Sequence, residues 1–217
     1  MNWMKKVAVA LVCLLPLGLQ AAKVDTLQVK SPSMNKSIEV VVVSPDMAAT
    51  EACPVIYLLH GYGGNARTWV GIKPDLPKIA DEKGIFFVCP DGKNTWYWDS
   101  PLNADVRYET FISDELVKYV DSHYKTVADR KGRAITGLSM GGHGAMWNGL
   151  RHSDVFSAAG STSGGVDIRP FPKNWEMSVQ IGEKAKYPEN WEKYTVINLV
   201  PTLRKDQIAL IFDCGDS

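Results

Sequence analysis

Residues 134–150 constrain this chain more than any other stretch. Ala134-Ile135-Thr136 is a short apolar run, Gly137-Leu138-Ser139-Met140-Gly141 is a turn of small residues, and Ala145 to Leu150 has the composition of a helix. The pattern Gly-x-Ser-x-Gly between a strand and a helix places a serine on a sharp, strained turn with its hydroxyl exposed. Glycines flank the serine because a Cβ at either place would meet the neighbouring strand or helix. A helix that begins there points unpaired N–H groups and its positive dipole end at Ser139, which favours negative charge forming beside it. The reading is a nucleophile; the plain alternative is a glycine-rich turn that happens to hold a serine.

The rest of the pattern supplies a sheet for that strand to join. Val24–Lys30 and Lys36–Val43 are expected strands around the turn Ser31-Pro32-Ser33-Met34-Asn35. Pro54–Leu59, Ile85–Cys89, Phe156–Ser161 and Gln207–Cys214 are apolar runs of strand length, as strands covered on both faces should be. Helices are expected over Asp75–Lys83, stopped by Gly84, and from about Val106 to His123, with Ile112, Leu116, Tyr119, Val120 and His123 on one face. Residues 166–194 show no clear period and read as an inserted, lid-like loop. Thr195–Leu203 is expected to be a short helix interrupted by Pro201. Strands alternating with helices argue an α/β fold, a mostly parallel sheet with helices on both faces.

A serine hydroxyl needs a base to take its proton, and acyl transfer needs N–H donors aimed at the developing oxyanion. One donor is expected at the backbone N–H of Met140, and the second at Tyr62, in the Gly61-Tyr62-Gly63 loop after an earlier strand. In this architecture the order is Ser, acid, His. Asp216, in the loop after the last strand, is the candidate acid. None of the four histidines suits the base. His60 precedes the oxyanion loop, His123 ends a helix on its apolar side, His143 sits on the helix four residues past Ser139, and His152 lies in the following turn. Trp96 and Trp98, in a polar aromatic loop, are candidates to stack on a sugar or an aromatic acyl group.

The runs LLHGYGGNARTW (58–69), CPDGKNTWYWDSP (89–101), ITGLSMGGHGA (135–145) and IFDCGDS (211–217) resemble the esterase D (putative esterase) family. That family holds S-formylglutathione hydrolases, tributyrin-type esterases, feruloyl esterase domains and mycolyltransferases. The resemblance implies an α/β-hydrolase fold, a nucleophile at Ser139 and oxyanion amides at Tyr62 and Met140. It also implies an acid in the loop after IFDCG, then a helix, a strand and a histidine. A Gly-x-x-Asp match would put the acid one position beyond Ser217. Residues 23–217 are therefore expected to be an α/β-hydrolase domain lacking its C-terminal part.

The N-terminus has the build of a signal peptide over residues 1–22. Lys5-Lys6 precede an uncharged apolar run, Val7 to Leu19, and Gln20-Ala21-Ala22 offers small residues near a cut. The run is too short for a span of roughly 20 residues, so export to the periplasm or medium is expected in place of a stable membrane anchor. Lys+Arg and Asp+Glu both number 24, which gives no global charge for nucleic acid. No zinc-type Cys/His spacing occurs, and no metal or cofactor is implied. Cys53, Cys89 and Cys214 are expected to be buried thiols. Export and chemistry together point to a secreted serine carboxylesterase acting on a small-molecule or polysaccharide ester. A non-catalytic carbohydrate-binding relative and an acyltransferase to a sugar hydroxyl stay open as alternatives. Nothing in the pattern sets an oligomeric state.

Overall fold

The computed structural model describes residues 22–215. The expected signal peptide, apart from Ala22, and Asp216 lie outside them.

Seven strands form one sheet in the order β1-β2-β4-β3-β5-β6-β7. β1 (Lys23–Ser31) and β2 (Lys36–Ser44) make an antiparallel hairpin, and β2 pairs antiparallel with β4 (Phe86–Pro90). From β4 onward the sheet is parallel, through β3 (Val55–Leu59), β5 (Arg133–Gly137), β6 (Ala158–Thr162) and β7 (Ala209–Asp213). This is the mostly parallel sheet that the alternating pattern predicts.

The apolar runs are continuous because both faces of the sheet are covered, yet the period of two still sorts them. Val41, Val43, Leu58, Phe87 and Cys89 pack on one face, against the short α1 (Thr68–Ile72) and α2 (Leu76–Lys83). Val40, Val42, Val55, Tyr57, Phe86 and Val88 face the other layer. There α3 (Tyr108–Thr110) runs through a π-helical turn (Phe111–Glu115) into α4 (Leu116–His123), beside α5 (Met140–Arg151). Gly84 ends α2 in the left-handed conformation, with φ 62°. Only a residue without Cβ takes that turn freely.

Several expectations need correction or refinement. Residues 166–194 are not a bare loop: α6 (Met177–Ile181) and α7 (Pro188–Lys193) form there, and Ile168, Met177 and Trp191 are buried in the core. The short helix expected over 195–203 forms as a 3-10 helix (Val196–Thr202) with Pro201 inside it. β7 forms where expected but is not buried; Ile211 and Phe212 are 75% and 71% exposed at the sheet edge. Nothing among the described residues covers them. His123 is exposed and stacks on Tyr119, with ring centroids 4.0 Å apart, and Cys214 is exposed while Cys53 and Cys89 are buried. Among the described residues no helix is long and apolar enough to cross a membrane.

Candidate active site

The site forms where β3 and β5 end side by side. Leu59 pairs with Gly137 at the last rung, so His60–Gly64 and Leu138–Gly141 leave the sheet as neighbours. Open parallel sheets gather ligands at the carboxyl ends of their strands.

Ser139 is held at φ 55° and ψ −115°, a conformation that non-glycine residues rarely keep unless their surroundings impose it. Those surroundings are identifiable. The Ser139 N–H donates to Thr162 O at 2.9 Å, at the end of β6, and the Gly141 N–H donates to Leu138 O at 2.8 Å. A Cβ on Gly141 would lie 2.2 Å from Leu59 O, and one on Gly137 would lie 2.3 Å from the Gly141 backbone. The two glycines are thus demanded by strand and helix backbone, and they leave Ser139 at the crest. Its hydroxyl makes no capping bond to α5.

Ser139 opens into a cavity of about 240 Å³ that Tyr62, Trp96 and Met140 also line. A Cβ built on Gly61 would stand 3.5 Å from Ser139 Cβ, so the glycine-rich loop lies directly against the serine turn. Neither the Tyr62 nor the Met140 amide has a backbone acceptor among the described residues; Met140 is the first residue of α5, whose leading N–H groups have no intrahelical partner.

The two loop tryptophans part company. Trp96 is almost fully buried but borders the cavity, and its Nε1 donates to Trp175 O at 3.0 Å. Trp98 is 0% exposed and does not reach the cavity, which corrects the expectation that it stacks on substrate. Its indole lies edge-on to Tyr194 and donates from Nε1 to His143 Nε2 at 2.9 Å. The aromatic wall comes instead from the segment after β6: Phe171 and Trp175, 43% and 45% exposed, line the cavity 5.6 Å apart by centroid. Sequence reading missed both because that segment has no period; its aromatics and prolines were the only signal.

All four histidines are accounted for without Ser139. His60 donates from Nδ1 to Gly61 O at 2.7 Å and accepts the Gly92 N–H on Nε2 at 2.9 Å. His143 donates from Nδ1 to Gly165 O at 2.7 Å, and burial pushes its pKa down to about 4 against the pull of that carbonyl. His152 bonds Glu109 at 2.8 Å, and His123 bonds Tyr119 O at 2.8 Å. The candidate acid Asp216 lies outside the described residues. Among those residues no cluster of three or more His, Cys, Asp or Glu side chains is placed to hold a metal ion.

A family model described as "Putative esterase" matches residues 31–216. The chain belongs to that esterase family. An esterase of Mycobacterium tuberculosis is 30% identical over 149 residues, 65% of this chain and 32% of that protein. The acetyl esterase of Caldicellulosiruptor saccharolyticus is 31% identical over 108 residues, 49% of this chain and 40% of that protein. This esterase-family chain therefore spans well under half the length of those curated relatives. Among solved structures, it is similar to an S-formylglutathione hydrolase from Agrobacterium tumefaciens (TM-score 0.75, 22% identity, 91% of this chain and 76% of that one). It is also similar to a ferulic acid esterase (TM-score 0.73, 29% identity, 91% and 80%). The fold is the α/β-hydrolase fold, as the resemblance implies.

Proposed function

We propose that the protein is an exported serine carboxylesterase that cleaves carboxylic esters, with acyl groups on carbohydrate as its substrates. The observation that carries this reading is the strained Ser139 turn opening into a cavity beside the unpartnered amides of Tyr62 and Met140. In the reaction Ser139 Oγ attacks the ester carbonyl while a base takes its proton. The carbonyl oxygen gains negative charge beside the Tyr62 and Met140 N–H groups, and the tetrahedral intermediate collapses with release of the protonated alcohol. Water then attacks the acyl-serine by the same route and frees the acid. The base and its acid partner lie outside residues 22–215 in this reading. The aromatic wall of Phe171 and Trp175 suits a flat acyl group or the apolar face of a sugar, and relatives named as acetyl and ferulic acid esterases favour acyl groups of that kind. The signal-peptide pattern at residues 1–22 supports export.

A fluorophosphonate probe tests this directly. Covalent labelling of the full-length protein, abolished in Ser139→Ala, is expected, together with release of acetate or ferulate from decorated xylan. Absence of labelling while a reference serine esterase reacts alongside would overturn it. One observation favours a second reading, a carbohydrate-binding relative that does not cleave: both ring nitrogens of His60 and of His143 are already bonded elsewhere, leaving Ser139 without a base among the described residues. An unlabelled protein that still binds xylo-oligosaccharide would establish it.

A further inference from the structure

The side-chain amide of Asn94 faces two ways. Its Oδ1 accepts the Gly63 N–H at 2.9 Å, and its Nδ2 donates to Glu176 Oε2 at 3.3 Å. The partners fix the orientation of the amide, since an N–H requires the oxygen and a carboxylate requires the NH2 group. One side chain thus joins the turn after β3 to the segment that walls the cavity.

Both ends of that tie hold something that would otherwise move. Gly61 to Gly64 form a turn closed by the Gly64 N–H on Gly61 O at 3.0 Å, and Gly63, with φ 76°, sits where a type II turn reserves a place for glycine. Tyr62 is the exposed corner between them, and a cheap flip of the central peptide would reorient the turn around it. The bond from Gly63 to Asn94 pins that peptide. On the opposite side, Trp175 and Glu176 both hold positive φ, 49° and 54°, which non-glycine residues keep only under restraint. Trp96 Nε1 on Trp175 O and Asn94 Nδ2 on Glu176 are two such restraints, both from the loop after β4.

We infer that Asn94 is a positioning residue for ester hydrolysis: it locks the turn carrying the Tyr62 amide to the cavity wall carrying Trp175, so that acyl-group binding and oxyanion geometry are set together. This rests on the esterase reading for its catalytic consequence, whereas the tie itself does not.

Hydrogen exchange of the full 217-residue chain, followed by mass spectrometry on peptides spanning 60–66 and 170–178, tests it. Asn94→Ala removes both bonds and is expected to speed exchange in both peptides, by roughly three- to tenfold for the loss of one net hydrogen bond at each end. Asn94→Asp keeps an acceptor for Gly63 but sets a carboxylate against Glu176, so only the 170–178 peptide should loosen. Asn94→Asp with Glu176→Gln restores a donor–acceptor pair with roles reversed and should return that peptide to its original rate. In ester hydrolysis by the full-length protein, Asn94→Ala should lower kcat about tenfold or more while KM changes less, and the double variant should recover most of kcat. Equal loosening by Asn94→Ala and Asn94→Asp, or no change at 60–66 in Asn94→Ala, would overturn the tie. If the parent protein neither hydrolyses ester nor takes the fluorophosphonate, the esterase reading fails, and the exchange pattern still decides whether Asn94 links the two segments.

Discussion

Trp98 donates its indole N–H to Nε2 of His143 at 2.9 Å, and Nδ1–H of His143 donates to Gly165 O at 2.7 Å. The pair converts a histidine only four residues from Ser139 into a neutral, fully buried core group. Two consequences follow, one for acid stability and one for packing.

The folded state holds His143 neutral down to about pH 4, whereas an unfolded histidine takes a proton near 6.5. Between those values the unfolded chain binds more protons, so stability is fully present above about pH 6.5 and falls as pH drops toward 4. The full loss from this group is on the order of 3 kcal/mol. Urea unfolding midpoints at pH 7.0, 5.5 and 4.5 should decline in that order, and the decline should shrink in His143→Gln. An NMR titration placing His143 near 6.5 would contradict the assignment.

Trp98→Phe retains most of the ring area but leaves His143 Nε2 buried without a donor. A cost of about 1–3 kcal/mol is expected from the orphaned acceptor and the lost ring atoms. Trp175→Ala, at a side chain 45% exposed, should change stability by less than about 1 kcal/mol, while raising KM for aryl or carbohydrate esters. Thermal melts and steady-state kinetics on the two variants should therefore move in opposite columns.

Ser139→Gly separates strain from chemistry. The backbone at φ 55° and ψ −115° costs a serine energy that glycine avoids. Relief of about 1 kcal/mol is expected after allowance for glycine's greater freedom when unfolded, a rise of about 2–4 °C in Tm for a chain of this size. Fluorophosphonate labelling should vanish. A Tm at or below that of the parent would show that the turn stores no strain.

Gly141→Ala places a methyl group 2.2 Å from Leu59 O, where backbone cannot yield cheaply. Loss of about 2 kcal/mol or more is expected, with reduced labelling of Ser139 as the turn shifts. An alanine variant with the parent's denaturation midpoint would rule out that crowding.

Glu109 is the buried acceptor of three donors: Trp147 Nε1 and Arg151 Nε at 2.7 Å, and His152 Nε2 at 2.8 Å. Burial pushes its carboxyl up, but His152, Arg151 and Trp147 overcome that and hold it below the usual range. Its contribution is thus present above the unfolded carboxyl pKa and disappears as pH falls through the lower folded value. Glu109→Ala strands the buried Trp147 N–H, while Arg151 and His152 are partly exposed and reach water; it should destabilise by about 1–3 kcal/mol, with Glu109→Gln recovering part of it in equilibrium unfolding.

Much of this protein is legible in its sequence. The turn at 137–141, the strands at 55–59 and 86–90, and the glycine that stops α2 are local matters: period, propensity and the absence of a Cβ act within a few residues. The adjacency of Tyr62 and Ser139 was also within reach, because strand-to-helix turns of this kind pair with a glycine-rich loop on the neighbouring strand. Composition could not distinguish Trp98 from Trp175. Both are tryptophans in irregular segments; one donates inward to His143, and the other is held at the cavity's edge by a backbone turn that Trp96 and Asn94 restrain.

Sequence by itself determined the α/β alternation, the serine at the crest of a strained turn and the glycines that make room for it, since each depends on steric rules between residues close along the chain. Only the tertiary structure decided which aromatic side chains face the cavity, that α6 and α7 form within residues 166–194, and that every histidine is bonded away from Ser139. Those outcomes depend on what distant segments bring to the same place, and no local preference encodes the direction in which a buried side chain finds its partner.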